Sequence, residues 1–450
     1  MENTAYKKFG FVWFTLTAVA LLCVGLINLI VDPLGIHKVV AVEGFNKVKT
    51  EAMRTEAFVR VVELERARPD AVIVGSSRVK TGLDENHPGF DRTVKSRFNL
   101  GLPLLNAYEI NAYTAYANSL NPLRQIVYGL DFFSFNVHSP RRPDFDEKRV
   151  NATKNLHYAA KRVEDFSATL FSAKMLNSSI KTLRRQPEKT ATSKETKALQ
   201  TTATKETAKG EAPQNDGGNT AAEVPIDTLE EKLPRTVRTN FRFTERTYMS
   251  KVWFAGADAA YGLTDKRGKS APLEAFRATL TLAHENSIDL TLVISPIHAR
   301  MIEAIRISGL ETTFEDWKRL LVKINEEEAA KRGRSPFPLW DFSGYNSVTT
   351  EHVPFDNEPQ EMKYYIESSH YLKAAGNLAL DRAFSHSEPG RNVPKDFGVL
   401  LTSKNIEATI EKTRRDGELY RRTHPKDIAE ITEEAAVAKK KRDRLRKSAE

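Results

Sequence analysis

The sequence predicts a membrane-anchored α/β protein built on a mostly parallel sheet. Three observations carry the prediction. Short apolar runs of strand length alternate with stretches of helical spacing, as in a parallel sheet covered on both faces. One almost wholly apolar segment, Phe9–Val31, stands near the amino terminus. The last stretch, from Ser385 onward, is hydrophilic and helix-patterned, which predicts a charged helical extension.

The anchor comes first. Phe9–Val31 is broken mainly by Thr15, Thr17 and Asn28, and about 20 such residues suffice for a helix to cross a bilayer core. A secretory signal has an apolar region of about 7–15 residues with a small-x-small cleavage site close behind. The candidate here, Val39-Val40-Ala41, lies well past Pro33, and bulky Leu22 before Cys23 argues against lipid attachment. An uncleaved single-pass anchor over residues 1–33 is the expectation. Lys7 and Lys8 precede it. Positive flanks stay inside, so the amino terminus is expected in the cytoplasm. The rest is expected beyond the cytoplasmic (inner) membrane, in the periplasm or outside. Cys23 is the lone cysteine, which excludes intrachain disulfides and thiolate metal sites.

A helix is expected over Phe45–Ala67, then strands at Asp70–Gly75 and Arg97–Gly101. A helix over Leu104–Leu120 follows, and a strongly apolar strand over Gln125–Phe133. Thr, Lys, Glu, Ala and Gln dominate from about Arg184 to Val224, too little apolar surface to offset the entropy of ordering, so a disordered insertion is expected. Alternation resumes with a helix at Pro272–His284, a buried strand at Asp289–Ser295 and helices around Ala299–Ile307 and Phe314–Lys331. A short strand at Pro338–Phe342 and a helix-like stretch at Leu372–Phe384 close the domain. Asn405–Arg422 and Pro425–Lys447 read as exposed helices. The expected organisation is 1–33 anchor, 34–183 first part of the domain, 184–224 insertion, 225–385 second part and 386–450 extension.

The net charge is +9, with much of it concentrated in Lys439, Lys440, Lys441, Arg442, Arg444, Arg446 and Lys447. A basic terminal run reads as a solvated helix face. A location beyond the membrane points to no nucleic-acid partner, and to attraction toward anionic headgroups or glycopolymers instead.

Two short motifs carry chemistry. Gly75-Ser76-Ser77-Arg78 ends the first strand, so Ser77 falls on a tight strand-to-helix turn at the sheet's carboxyl edge. Glu367-Ser-Ser-His370 supplies an imidazole with a carboxylate three residues earlier. A serine hydroxyl needs an imidazole to take its proton, and the imidazole needs an anion to fix its tautomer and stabilise its charge. Arg78 is either a receiver of an anionic substrate or a salt-bridged helix start. His298, in Ser295-Pro-Ile-His-Ala-Arg300, is the rival catalytic histidine, and His138 has no partner pattern. No His/Asp/Glu cluster has metal-ligand spacing, so neither metal nor cofactor is expected.

These residues resemble the SGNH (GDSL-like) hydrolase superfamily, and more closely its membrane-anchored acyl-transfer branch. That branch includes the D-alanyl transfer protein of teichoic acid modification and the alginate O-acetylation proteins. The resemblance spans about Asp70 to Phe384 without the insertion, and implies a doubly wound, mostly parallel sheet. It makes Ser77 the nucleophile, with Ser76 in the usual Asp position, and His370 the base oriented by Glu367. The Ser77 and Gly101 amides would form the oxyanion hole, Gly101 belonging to the block Asn99-Leu100-Gly101. The third block departs: Gly129-Leu130-Asp131 has Asp where a neutral donor is expected. An ionised carboxylate only accepts hydrogen bonds and would oppose an oxyanion. Asp131 itself reads as a structural residue bonding loop amides at the strand end.

What the resemblance implies is an acyltransferase or esterase working through a serine acyl-enzyme on a cell-envelope carbohydrate. The acyl group would come from an acyl donor through a multi-spanning membrane O-acyltransferase. The alternative is a catalytically silent scaffold of the same fold in an envelope polysaccharide-modifying complex.

Overall fold

The computed structural model describes residues 2–151, 156–186, 236–253 and 261–447. Of the expected insertion, residues 187–224 lie outside the described residues. In chain order the elements are α1 (Glu2–Val31), α2 (Glu56–Ala67), β1 (Ala71–Gly75), α3 (Ser77–Gly82), β2 (Arg97–Gly101), α4 (Ala107–Leu120), β3 (Gln125–Leu130) and α5 (Glu147–Val150). There follow α6 (Leu156–Phe171), α7 (Ala173–Arg184), α8 (Val237–Tyr248), α9 (Ala271–Glu285), β4 (Asp289–Ile294), α10 (Ala299–Ile307) and α11 (Glu311–Ala330). The chain ends with β5 (Leu339–Asp341), α12 (Lys373–Ala383), β6 (Val399–Leu400), α13 (Ile406–Thr423) and α14 (Pro425–Lys447).

The chain divides into two compact units, residues 1–63 with 152–234, and residues 64–151 with 235–450. In the first, α1 carries the apolar stretch Tyr6–Val31, long and apolar enough to cross a membrane. It ends at Asp32, whose carboxylate accepts the amides of Ile36, His37 and Lys38 at 3.0, 3.1 and 2.8 Å. Helices α6 and α7 pack against α1. Asn28, a polar interruption of the apolar stretch, is fully buried there. Its amide donates to the Leu170 carbonyl at 2.7 Å and its carbonyl accepts the Ser179 hydroxyl at 2.8 Å. The expected helix over Phe45–Ala67 begins only at Glu56, after a 3₁₀ turn at Ala52–Thr55. Asn46 explains the late start. Its side chain accepts the Val42 amide and donates to the carbonyls of Ile30 and Val40, pinning this stretch as a loop. Arg184 closes α7, and Arg185 and Gln186 bond Glu51 and Val48, so residues 184–186 of the expected insertion belong to the packed helix end.

The second unit holds a six-stranded mixed sheet in the order β2-β1-β3-β4-β5-β6, with β1 to β5 parallel and β6 antiparallel to β5. Strands β1 and β3 are buried along their whole length, as continuous apolar strands of a covered parallel sheet must be. β3 stops at Leu130, short of the expected Phe133, because the chain turns into a 3₁₀ turn at Phe132–Phe135. Helix starts follow their sequence signals. Asn106 and Glu109 form a reciprocal capping box at α4, and Ser270 caps α9 ahead of Pro272.

Helices α13 and α14 are not the exposed helices that their composition suggests. Ile406, Ile410, Tyr420, Ile431 and Ala438 are buried, and α14 packs on α8 and α10. Arg300, fully buried on α10, donates to Glu245 at 2.8 Å, Asp427 at 2.8 Å and Glu430 at 2.9 Å. Arg238 reaches the same Asp427 and Glu430. The charged face of α14 is therefore an interior face, satisfied by arginines of its neighbours.

Candidate active site

Ser77 stands at the carboxyl end of β1, where the strand order changes direction between β1 and β3, the crevice in which open α/β sheets bind ligands. Gly75 makes the turn. Its φ of +151° is one that side chains rarely adopt, and a Cβ there would fall 2.5 Å from Val79 and 2.9 Å from the Gly129 carbonyl. Ser76 is the N-cap of α3, its Oγ accepting the Arg78 amide at 3.1 Å. Ser77, the first residue of the helix, is left half-buried with its hydroxyl available.

The second motif is a hairpin turn rather than a helix start. Tyr365 and Tyr371 pair across it, and the Ile366 amide donates to the His370 carbonyl at 3.0 Å. Glu367 caps its own turn, accepting the Ser369 amide at 2.8 Å and the His370 amide at 2.9 Å. The His298 amide donates to the Ser368 carbonyl at 3.1 Å and steadies the same turn. Tyr371 then packs on α3 at Gly82, where a Cβ would fall 1.9 Å from the Tyr371 ring. That close approach brings the His370 turn onto the Ser77 turn.

The result is a serine–histidine–glutamate line. His370 Nε2 lies 2.7 Å from Ser77 Oγ, and His370 Nδ1 bonds Glu367 Oε1 on the far side of the ring. Burial pushes the Glu367 carboxyl toward its neutral form. The charge of His370 and hydrogen bonds from His370, Ser369 and Thr244 outweigh that and hold it below the usual carboxylate range. This arrangement can draw the proton from Ser77 onto His370 and stabilise the imidazolium that forms.

Behind the line runs a buried polar chain. Asp131 accepts the Ser76 hydroxyl at 2.5 Å and the Arg78 guanidinium at 2.8 Å. Arg78 Nε donates to Ser369 Oγ at 3.0 Å, and Ser369 Oγ donates to the Tyr248 hydroxyl at 2.9 Å. Burial pushes the Tyr248 phenol up, outweighing the opposing charge of Arg78 and hydrogen bond from Ser369. Arg78 also lies over the rings of Phe133 and Tyr248.

One alternative is decided here and two expectations change. Arg78 is the salt-bridged helix start rather than an anion receiver: it is buried and committed to Asp131 and Ser369. Asp131 bonds side chains rather than loop amides, and its carboxylate is paired with Arg78, which removes the expected opposition to an oxyanion. Gly101 is a packing residue. Its amide donates to Asn99 Oδ1 at 2.9 Å, and a Cβ on it would meet the Lys80 nitrogen at 2.5 Å. Asn99 itself donates to the carbonyls of Val79 and Leu83, tying β2 to α3. The Ser77 amide has no acceptor among the described residues.

His298 caps α10. Nδ1 accepts the Arg300 amide, Nε2 bonds the Glu351 carbonyl, and burial pushes its pKa down to about 4, so both ring nitrogens serve structure. His138 sits in a loop, its amide bonded to Asn136. Sequence reasoning missed Ser369 and Tyr248. Ser369 lies inside the quoted motif, but Tyr248, in Arg246-Thr-Tyr, has no local signal. No protein-family model matches the chain, and no curated protein matches it.

Proposed function

We propose that the protein is a serine acyltransferase or esterase of the SGNH type, anchored by α1 and acting on a carbohydrate of the cell envelope outside the cytoplasmic membrane. The observation that carries this reading is the 2.7 Å contact between Ser77 Oγ and His370 Nε2, with Glu367 on the other ring nitrogen. Its support from the fold is the parallel order 2-1-3-4-5, one of the common orders of doubly wound sheets, with the nucleophile at its switch point.

In the proposed mechanism His370 Nε2 takes the Ser77 proton as Oγ bonds to the acyl carbonyl carbon. The tetrahedral oxyanion is met by the Ser77 amide. Its collapse expels the leaving oxygen or sulfur, protonated by His370, and leaves the acyl ester on Ser77. A sugar hydroxyl, or water, then gives its proton to His370 as its oxygen bonds to the acyl carbon, and the bond to Ser77 breaks as His370 returns the proton to Oγ. Transfer, rather than hydrolysis, and supply of the acyl group by a multi-spanning membrane O-acyltransferase rest on the resemblance.

One observation favours the silent-scaffold reading: the Gly101 amide, the second oxyanion donor of the resemblance, is spent on Asn99. Envelope acylation in a deletion strain separates the two. Complementation by Ser77→Ala or His370→Ala should leave the polymer unacylated, while Ser76→Ala retains part of the activity. Full acylation with folded Ser77→Ala would establish the scaffold.

A further inference from the structure

We propose that the junction of α6 and α7 dips into the acyl layer of the membrane beside α1, with Phe166, Phe171 and Ile180 facing lipid. The proposal rests on α1 crossing a bilayer and is independent of the Ser77 chemistry.

Depth carries the argument. The Phe166 ring meets the His37 ring edge-on at 6.3 Å, just beyond the end of α1. Leu170, one turn further, gives its carbonyl to Asn28. Phe171 then lies over Gly25, where a Cβ would fall 2.6 Å from the Phe171 ring. Helix α6 thus descends antiparallel to α1. Gly25 precedes Val31, the end of the apolar stretch, by six residues. At about 1.5 Å per residue Phe171 sits roughly 9 Å inside the end of the span. Helices that bed in the headgroup–acyl boundary sink about 5–10 Å. On α7, Ser179 reaches the same Asn28, which puts neighbouring Ile180 at a similar level.

The side chains along this descent suit lipid. Phe171 is 43% exposed and Ile180 39%, with Phe166, 55% exposed, higher up at the end of the span, and on α1 itself Leu22, Leu26, Ile27 and Ile30 are exposed at comparable levels. Phe171 lies over Gly25 beside these α1 side chains, so the solvent that covers α1 there reaches the α6–α7 junction as well. Asn28 and Ser172 are satisfied internally at this depth: Asn28 holds Leu170 and Ser179, and Ser172 Oγ bonds the Ala168 carbonyl. Lys174, exposed in the first turn of α7 beside Phe171, and Lys181 carry long apolar stems along which an ammonium group can extend toward the headgroups.

The test uses the full-length chain with Cys23→Ser, carrying one nitroxide-labelled cysteine at a time. The sites are Phe166→Cys, Phe171→Cys and Ile180→Cys, with Leu22→Cys as the lipid reference and Lys412→Cys as the water reference. Samples are reconstituted in nanodiscs of phosphatidylcholine and phosphatidylglycerol. The expected result is that oxygen relaxes the labels at 166, 171 and 180 more than a water-soluble nickel chelate does, as at Leu22 and opposite to Lys412. Nickel access at the three sites equal to that at Lys412, with Leu22 still lipid-like, overturns the proposal while leaving the span intact. Labels reached by neither reagent also overturn it, since protein would then cover the patch.

Discussion

The pair Arg78–Asp131 should hold the two halves of the candidate site together, and Arg78→Met tests this quantitatively. Both side chains are almost wholly buried and 2.8 Å apart. Removing the guanidinium leaves a carboxylate in the interior with the Ser76 hydroxyl as its remaining donor. Breaking a buried pair in this way costs about 3–5 kcal/mol. In a unit of about 300 residues that corresponds to a fall in Tm of about 5–10 °C. The assay is thermal unfolding of the detergent-solubilised full chain, run as a double-mutant cycle with Asp131→Asn. The double variant buries no charge and keeps a hydrogen bond to Ser76, so it should recover part of the loss, with a coupling of about 1–3 kcal/mol. Because Arg78 also positions Ser369, the double variant should still react more slowly than wild type at Ser77. Strict additivity of the two single losses, or an Arg78→Met variant that melts with wild type, would refute the reasoning.

Three further outcomes follow from the same geometry. Glu367 has a depressed pKa in the folded state, so its contribution to stability is complete above the usual carboxylate pKa and drains away as pH falls through the folded value. Melting temperature against pH should show this acid limb in wild type and a shallower one in Glu367→Gln. Gly82→Ala places a Cβ against the Tyr371 ring and should cost about 1–3 kcal/mol by overpacking. It should also slow Ser77 chemistry more than its stability loss explains, which kinetics on the folded fraction will read. Ile431→Ala on α14 should destabilise the unit by about 2–5 kcal/mol, because Ile431 is fully buried. An unchanged denaturation midpoint would mean that α14 is not part of the core.

The sheet was legible in the sequence because its parallel strands are short apolar runs, β1 and β2 ending on Gly75 and Gly101, and each falls within its expected run. The site was legible because Ser77, His370 and Glu367 lie in two tetrapeptides whose chemistry is local. What the sequence did not show is which partners its polar groups take. Gly101 read as an oxyanion-hole position, yet its amide is spent on Asn99, and Asp131 read as bonding loop amides, yet it is paired with Arg78. Residues 425–447 read as exposed because the pattern Asp427, Glu430 and Glu434 looks like a solvated face. The arginines that bury it, Arg238, Arg242 and Arg300, lie far away in the chain. Helix α6 gave no usable signal either, since its apolar residues serve a surface beside α1 rather than a core stripe.

The central claim is that Ser77 is a nucleophile activated by His370. Labelling of the full-length protein in detergent with a fluorophosphonate probe tests it most directly. Wild type should label covalently at Ser77, with labelling lost in Ser77→Ala, nearly lost in His370→Ala and retained in Ser76→Ala. A folded wild-type protein that takes no label, or a Ser77→Ala variant labelled as strongly as wild type, would contradict it.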